Sequence, residues 1–101
     1  MILLDVAKAE GEAAADWYER RRAGLGDDFL AELRLALQFV EKSPRLCAPL
    51  EPARPPHELR QWMLNKFTYV VLFEVLPDGE LIVLAISHTS RRPGYWLDRL
   101  Y

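Results

Sequence analysis

The chain opens on a short apolar run, Met1 to Val6, too brief for a helix and read as a strand. Helix formers then dominate from Ala7 to Ala23. Ala9, Ala13, Trp17 and Arg21 recur at i, i+4 steps, with Ala14 and Tyr18 alongside, while Glu10, Glu12, Glu19, Arg20 and Arg22 fall on the other stripe. Asp5 stands where its carboxylate can cap the first free N–H groups of this helix. Acids come early and arginines late, which suits the helix dipole, so Arg20-Arg21-Arg22 reads first as a solvated helix end. Gly24-Leu25-Gly26 breaks the pattern. Asp27 or Asp28 can cap a second helix running to about Lys42, with Phe29, Leu33, Leu37 and Val40 as its apolar stripe. Ser43-Pro44 ends it, because proline disfavours a helical residue before it. A link this short predicts an antiparallel helical hairpin.

Five of the seven prolines lie between Pro44 and Pro56, so this stretch is expected to be an extended loop and not a second domain. Beyond it the period changes to two. Glu58 to Lys66 alternates moderately well. Phe67 to Leu76 is apolar on both faces, with Phe67, Tyr69, Val71, Phe73 and Val75 on one and Val70 and Leu72 on the other, which marks a central strand. Pro77-Asp78-Gly79 predicts a turn, and Glu80 to His88 a last strand closing an antiparallel hairpin. The expected fold is α+β: one domain over residues 1–101, ordered β-α-α-β-β-β, with the helical hairpin packed on a mainly antiparallel sheet. Trp17, Phe29, Leu33, Leu37, Val71 and Phe73 are its expected core. The tail from Thr89 to Tyr101 can close with a helical turn.

Composition narrows the chemistry. Thirteen Lys and Arg against fifteen Asp and Glu give a net charge of −2, which does not favour coating a phosphate backbone. The lone Cys47 excludes an internal disulfide, and with two histidines it cannot fill a zinc site without carboxylates, so no metal or cofactor is expected. Cys47 has no charged or His neighbour in sequence to lower its pKa and is not read as a nucleophile. No apolar run approaches the roughly 18 residues of a membrane span. The N-terminus lacks a basic segment and reaches Asp5 at once, so no signal peptide is read and the reducing cytoplasm is the expected compartment.

None of the common phosphate-loop, nucleophile-elbow or zinc-protease motifs occurs. Two groups of residues carry candidate chemistry. His88 ends a strand in register with Ile82, Leu84 and Ile86; it either ties down the tail or serves as a base or contact group. Arg91 and Arg92 precede Pro93-Gly94-Tyr95-Trp96, and two cations beside two large aromatics suit an interface anchor or a base-stacking platform as well as simple packing. Arg60 shares a strand face with Trp62 and Leu64, and either enlarges this patch or bridges Glu58 or Glu74.

Three segments together resemble one family. Glu12 to Leu33 is similar to the helical hairpin of the RelE/ParE superfamily of type II toxins. Lys66 to Phe73 resembles its FPYxIxY strand, with Thr68 in the proline position, and Ile86 to Trp96 resembles its HxxRxPxYW tail. The resemblance implies the same β-α-α-β-β-β fold and covers nearly the whole chain in order. RelE-like members are ribosome-dependent mRNA endonucleases that use strand cations and a stacking aromatic. Several of those basic positions fall near Gln61, Met63 and Val70, none of them basic. A cleavage transition state without positioned cations has little electrostatic support. The resemblance therefore implies the ParE-like branch: a toxin that binds DNA gyrase, is not a nuclease, contacts no nucleic acid by itself, and is neutralised by a ParD-like ribbon-helix-helix antitoxin whose segment folds into a groove of the toxin. Arg60, His88, Arg91, Arg92, Tyr95 and Trp96 are then the expected target-binding patch. Under the alternative RelE-like reading, Arg60, His88, Arg91 and Tyr95 are the catalytic candidates; a third reading is an inactive, antitoxin-binding homologue.

Overall fold

The computed structural model describes residues 1–100; Tyr101, the last residue of the tail, lies outside the described residues. Nine elements follow in order: β1 (Ile2–Leu3), α1 (Asp5–Arg21), α2 (Leu25–Lys42), a 3-10 turn (Pro44–Leu46), β2 (Ala48–Pro49), β3 (Glu58–Met63), β4 (Tyr69–Val75), β5 (Leu81–His88) and a closing 3-10 turn (Leu97–Arg99). The strands form one sheet in the order β1-β5-β4-β3-β2. β1 runs parallel to β5 and every other pair is antiparallel. This is the expected α+β fold, with one short edge strand, β2, added from inside the proline-rich segment.

The expected first strand is longer than the real one. Leu4 N–H still donates to Val83 O at 3.3 Å, but Leu4 O already accepts from Lys8 N–H at 2.9 Å. Sheet therefore passes into helix across a single residue. Leu4 is the N-cap and Asp5 sits inside the first turn without a side-chain cap bond, where its charge still suits the dipole.

The helical hairpin turns on a carboxylate that the sequence pattern assigned to solvent. Glu19, near the end of α1, accepts hydrogen bonds from Gly24 N–H at 3.0 Å and from Gly26 N–H at 3.0 Å. It thereby satisfies the free donors that open α2, so neither Asp27 nor Asp28 is the cap. Gly24 makes the turn at φ 88°. At Gly26 a Cβ would come within 2.6 Å of Ala15 O, so the helices meet there backbone to backbone with no room for a methyl group.

That close approach explains a correction. Trp17 was expected in the core and is 44% exposed. The buried stripe of α1 is Ala7, Gly11, Ala14 and Ala15, with Tyr18 packed beside them. Small residues face α2 and the sheet because the backbones run too close for a tryptophan, and Trp17 is turned outward with Ala9 and Ala13. The expected stripe of α2 holds, with Phe29, Leu33 and Val40 buried and Leu37 half-buried.

β4 is buried on both faces, as its continuous apolar run predicts. Val71, Phe73 and Val75 meet the helices; Val70 and Leu72 face away. The outward face is also a core. Leu59, Val70, Leu72, Leu84 and Ala85 are buried there, and the tail supplies Trp96, 6% exposed, to cover them. A bulge between Leu72 and Phe73 leaves Leu84 as an extra residue on β5. It breaks the expected alternation: His88 shares the helix face with Ile86, whereas Ile82 and Leu84 belong to the outer core.

Candidate functional site

Two concavities open on the opposite faces of the sheet, and the tail that follows β5 stands between them. The first is a groove of about 510 Å³ along α1, floored by Ala13, Ala14, Tyr18, Tyr69 and Ile86 and bordered by the half-exposed Trp17. Tyr18 lies at the centre of an aromatic cluster, 5.3 Å from the Phe29 ring, 4.8 Å from Phe67 and 6.1 Å from Tyr69. The Arg21 guanidinium rests 4.1 Å over the Trp17 ring. The second is a cleft of about 420 Å³ on the outer face, between the Leu50–Arg54 loop and the tail. His88 and Arg91 line both.

His88 fastens the tail to the sheet. Ser90 N–H donates to Nδ1 at 3.0 Å, which requires a lone pair there and puts the ring proton on Nε2, 3.0 Å from Thr68 Oγ1. Ser90 Oγ lies 2.7 Å from Nδ1, and the Tyr69 ring stands edge-on at 5.2 Å. The imidazole is thus engaged at both nitrogens, in the tail-tying role.

The carboxylate with the most hydrogen-bond partners near the site is one that sequence reasoning missed. Glu10, on α1, accepts four hydrogen bonds: from Ile86 N–H at 3.1 Å, Tyr95 Oη at 2.7 Å, and the Arg99 guanidinium at 2.9 Å and 3.1 Å. Arg99 also donates to Leu84 O at 2.8 Å. β1 covers the edge of β5 only as far as Val83. Beyond it, the Arg99 guanidinium and the Glu10 carboxylate satisfy the next edge groups as a neighbouring strand would. The signal was present: Glu10 lies three residues after Ala7 and four before Ala14 on the packing face, and a carboxylate there needs a partner.

Five of the six expected site residues, His88, Arg91, Arg92, Tyr95 and Trp96, line the outer cleft, and Arg60 does not. Arg60 pairs across the sheet with Phe73 and so points to the helix side. Its guanidinium is held by Glu58 Oε2 at 3.0 Å and by Cys47 O at 2.7 Å, the bridging outcome of the two weighed for it. Trp96 is buried beneath the tail, because the outer face of β4 is apolar and needs a cover. Tyr95 has its hydroxyl on Glu10 and its ring under the Arg91 guanidinium, 3.9 Å away. Only Arg91 and Arg92 remain exposed, and the structure adds a third exposed arginine, Arg54, on the facing loop of the outer cleft. Among the described residues no group of three His, Cys, Asp or Glu is placed to hold a metal.

Burial sets the electrostatics of this region. It pushes the Tyr69 and Tyr95 hydroxyls above the ordinary tyrosine value, helped by Tyr18 in the first case and by Glu10 in the second. It also raises the Cys47 thiol, against the opposing pull of Arg60. Each group keeps its proton more tightly in the folded chain than in the unfolded one. Their contribution is therefore fully present below the ordinary values of 9.0 for the thiol and 10.0 for the phenols, and is lost as pH rises beyond them. Thermal melts from pH 8 upward are expected to fall on the alkaline side; a level profile through the tyrosine range would contradict the burial of both rings.

A comparison with protein families matches residues 2–93 to the model described as ParE toxin of type II toxin-antitoxin system, parDE. No match was found among curated proteins.

Proposed function

The chain belongs to the ParE toxin family of type II toxin–antitoxin systems, and from that premise we propose that it arrests growth by binding DNA gyrase and is neutralised by a ParD-like ribbon-helix-helix antitoxin. A toxin of such a system acts with an antitoxin partner; the ParD-like identity, the gyrase target and action in the bacterial cytoplasm are the proposal. No helix among the described residues is long and apolar enough to cross a membrane.

The observation that supports an inhibitor over a nuclease is the engagement of the residues that cleavage would use. Arg60 is bound to Glu58 and a backbone carbonyl on the helix side of the sheet. The Tyr95 hydroxyl is held by Glu10. His88 has both ring nitrogens occupied by Thr68 and Ser90. Several strand positions where RelE-like enzymes carry cations fall near Gln61, Met63 and Val70, which line the outer cleft. What remains is a pair of surfaces suited to recognition. The α1 groove, with its apolar floor and exposed indole, suits an amphipathic segment of the antitoxin. The outer cleft, with its exposed arginines, suits the target.

Two assays on the purified toxin test this: DNA supercoiling by gyrase, and mRNA integrity in a translating extract. Loss of supercoiling with intact mRNA is the expected result. Cleavage at the ribosomal A site with supercoiling unaffected would overturn it in favour of the endoribonuclease. The groove assignment has its own test. Trp17→Ala should change stability by less than about 1 kcal/mol, because the ring is half-exposed. It should weaken antitoxin binding by about 2 kcal/mol or more, as an aromatic anchor does. Calorimetric titration with the antitoxin checks this, and unchanged affinity would remove Trp17 from the interface.

A further inference from the structure

We propose that the outer cleft is a receptor for a short acidic segment of the target protein, one that places aliphatic side chains on the cleft floor and carboxylates on its rim. The inference rests on the inhibitor reading only in taking the occupant to be a protein.

Charge supplies the first part of the argument. The chain as a whole is net negative by two charges, yet this cleft is positive. Arg54, Arg91 and Arg92 stand on its rim against one carboxylate, Glu51. Arg45, elsewhere on the surface, pairs with Glu58 at 3.0 Å. Arg54, Arg91 and Arg92 make no ion pair among the described residues. Three exposed guanidiniums around one concavity on an acidic protein focus an attractive field on an anion and present forked donors that match carboxylates.

The floor supplies the second part. Leu50, Pro52, Met63, Val70 and Leu72 line it, and Met63 is 60% exposed. An exposed, unbranched, polarizable side chain among these apolar residues adapts to aliphatic partners. The size of the cleft, about 420 Å³, is within the range of ligand pockets and fits a few side chains of a segment better than the face of a helix.

The aromatics decide between a peptide and a single-stranded nucleic acid, the other polyanion that three arginines attract. Base binding without sequence readout needs exposed rings on which bases stack. Here Trp96 is 6% exposed and packed on the outer core. The Tyr95 ring is covered by Arg91 at 3.9 Å, with its hydroxyl bound to Glu10. With the cations on the rim, an apolar floor and both large rings occupied, the cleft is matched to acidic-aliphatic chemistry.

The test uses the full-length toxin and three fluorescent probes of equal length: a peptide alternating Asp-Glu pairs with leucine, its lysine counterpart, and single-stranded RNA. Binding is read by anisotropy at low and high salt. The acidic peptide is expected to bind, to weaken as salt rises, and to lose roughly five- to tenfold in affinity with each of Arg54→Ser, Arg91→Ser and Arg92→Ser, as salt-screened charge pairs on a binding rim do. Arg20→Ser, on the exposed end of α1, should leave it unchanged. Equal binding by the triple arginine variant, or tighter binding of RNA than of the acidic peptide, would overturn the proposal. Gyrase inhibition by the same variants separates it from the reading it rests on. Peptide binding lost with gyrase inhibition retained removes the acidic segment and leaves the inhibitor standing. Peptide binding retained in a toxin that spares gyrase keeps the cleft and removes that target.

Discussion

Replacing Glu10 by alanine is expected to lower stability by about 3–5 kcal/mol, the usual cost of removing one partner from a buried ion pair. For a domain of this size that amounts to a fall of at least about 10 °C in melting temperature. The reason is the number of groups that lose a partner together. The Arg99 side chain is 15% exposed and Glu10 16% exposed. Truncation leaves a guanidinium largely out of water with only the Leu84 carbonyl to bind, and it strips the Tyr95 hydroxyl and the Ile86 N–H of their acceptor. Two further variants make the result diagnostic. Arg99→Ala alone should cost a comparable amount, because it leaves the carboxylate. Glu10→Leu with Arg99→Met should recover much of the loss, since an apolar pair of similar volume escapes the desolvation penalty of the ions. Thermal or urea unfolding measures all three, and a double variant no better than the singles would show that the pair acts through geometry that leucine and methionine cannot supply.

Phe73→Ala should cost a similar amount, about 3–5 kcal/mol, for a different reason. Phe73 is fully buried in the centre of β4, facing the helices, and is paired with Arg60 on one side and Val83 on the other. The neighbours that would have to fill the void are themselves fixed by the sheet register, so the cavity persists and its cost adds to the lost transfer energy. Loss of toxicity in this variant would report instability alone. A melting temperature close to that of the parent chain would contradict the placement of this strand between two cores.

The sheet was legible because its signals are one-dimensional. A run apolar on both faces over Phe67 to Leu76, a Pro-Asp-Gly turn and a second β-branched run define β4 and β5 without knowledge of anything else. The stripe of α2 was legible for the same reason. The stripe of α1 was not, because alanine is abundant all round that helix and the apolar period does not choose a face. What chooses it is the close approach of the helices, Gly26 against the Ala15 carbonyl and Gly11 against the Leu33 side chain, a property of the pair. The extra residue at Leu84 was equally invisible, since every residue around it is apolar and the sequence pattern does not show where the facing of β5 switches.

The site divides along the same line. Arg91 and Arg92 were found because a cation pair beside proline and aromatics is a local pattern. Arg54 lies on a loop far along the chain, and only folding brings it to the same cleft. Trp96 looked like an anchor because large aromatics dominate both interfaces and cores, and composition cannot separate the two. The distinction came from the outer face of β4, whose Val70 and Leu72 need a cover that no helix provides.

The Glu10 carboxylate has a consequence for the rate at which one amide trades its proton with solvent. In an ordinary sheet the edge N–H of a strand is guarded by its neighbour and is released when the strands part. At Ile86 the guard is a side chain on α1, held in place by the tail through Tyr95 and Arg99. Deuterium uptake at this single position therefore records how often helix, tail and sheet separate, while the amide of Val83, paired with Leu3 of β1, records the sheet alone. The ratio of the two is a native gauge of tail docking that needs no label and no mutation.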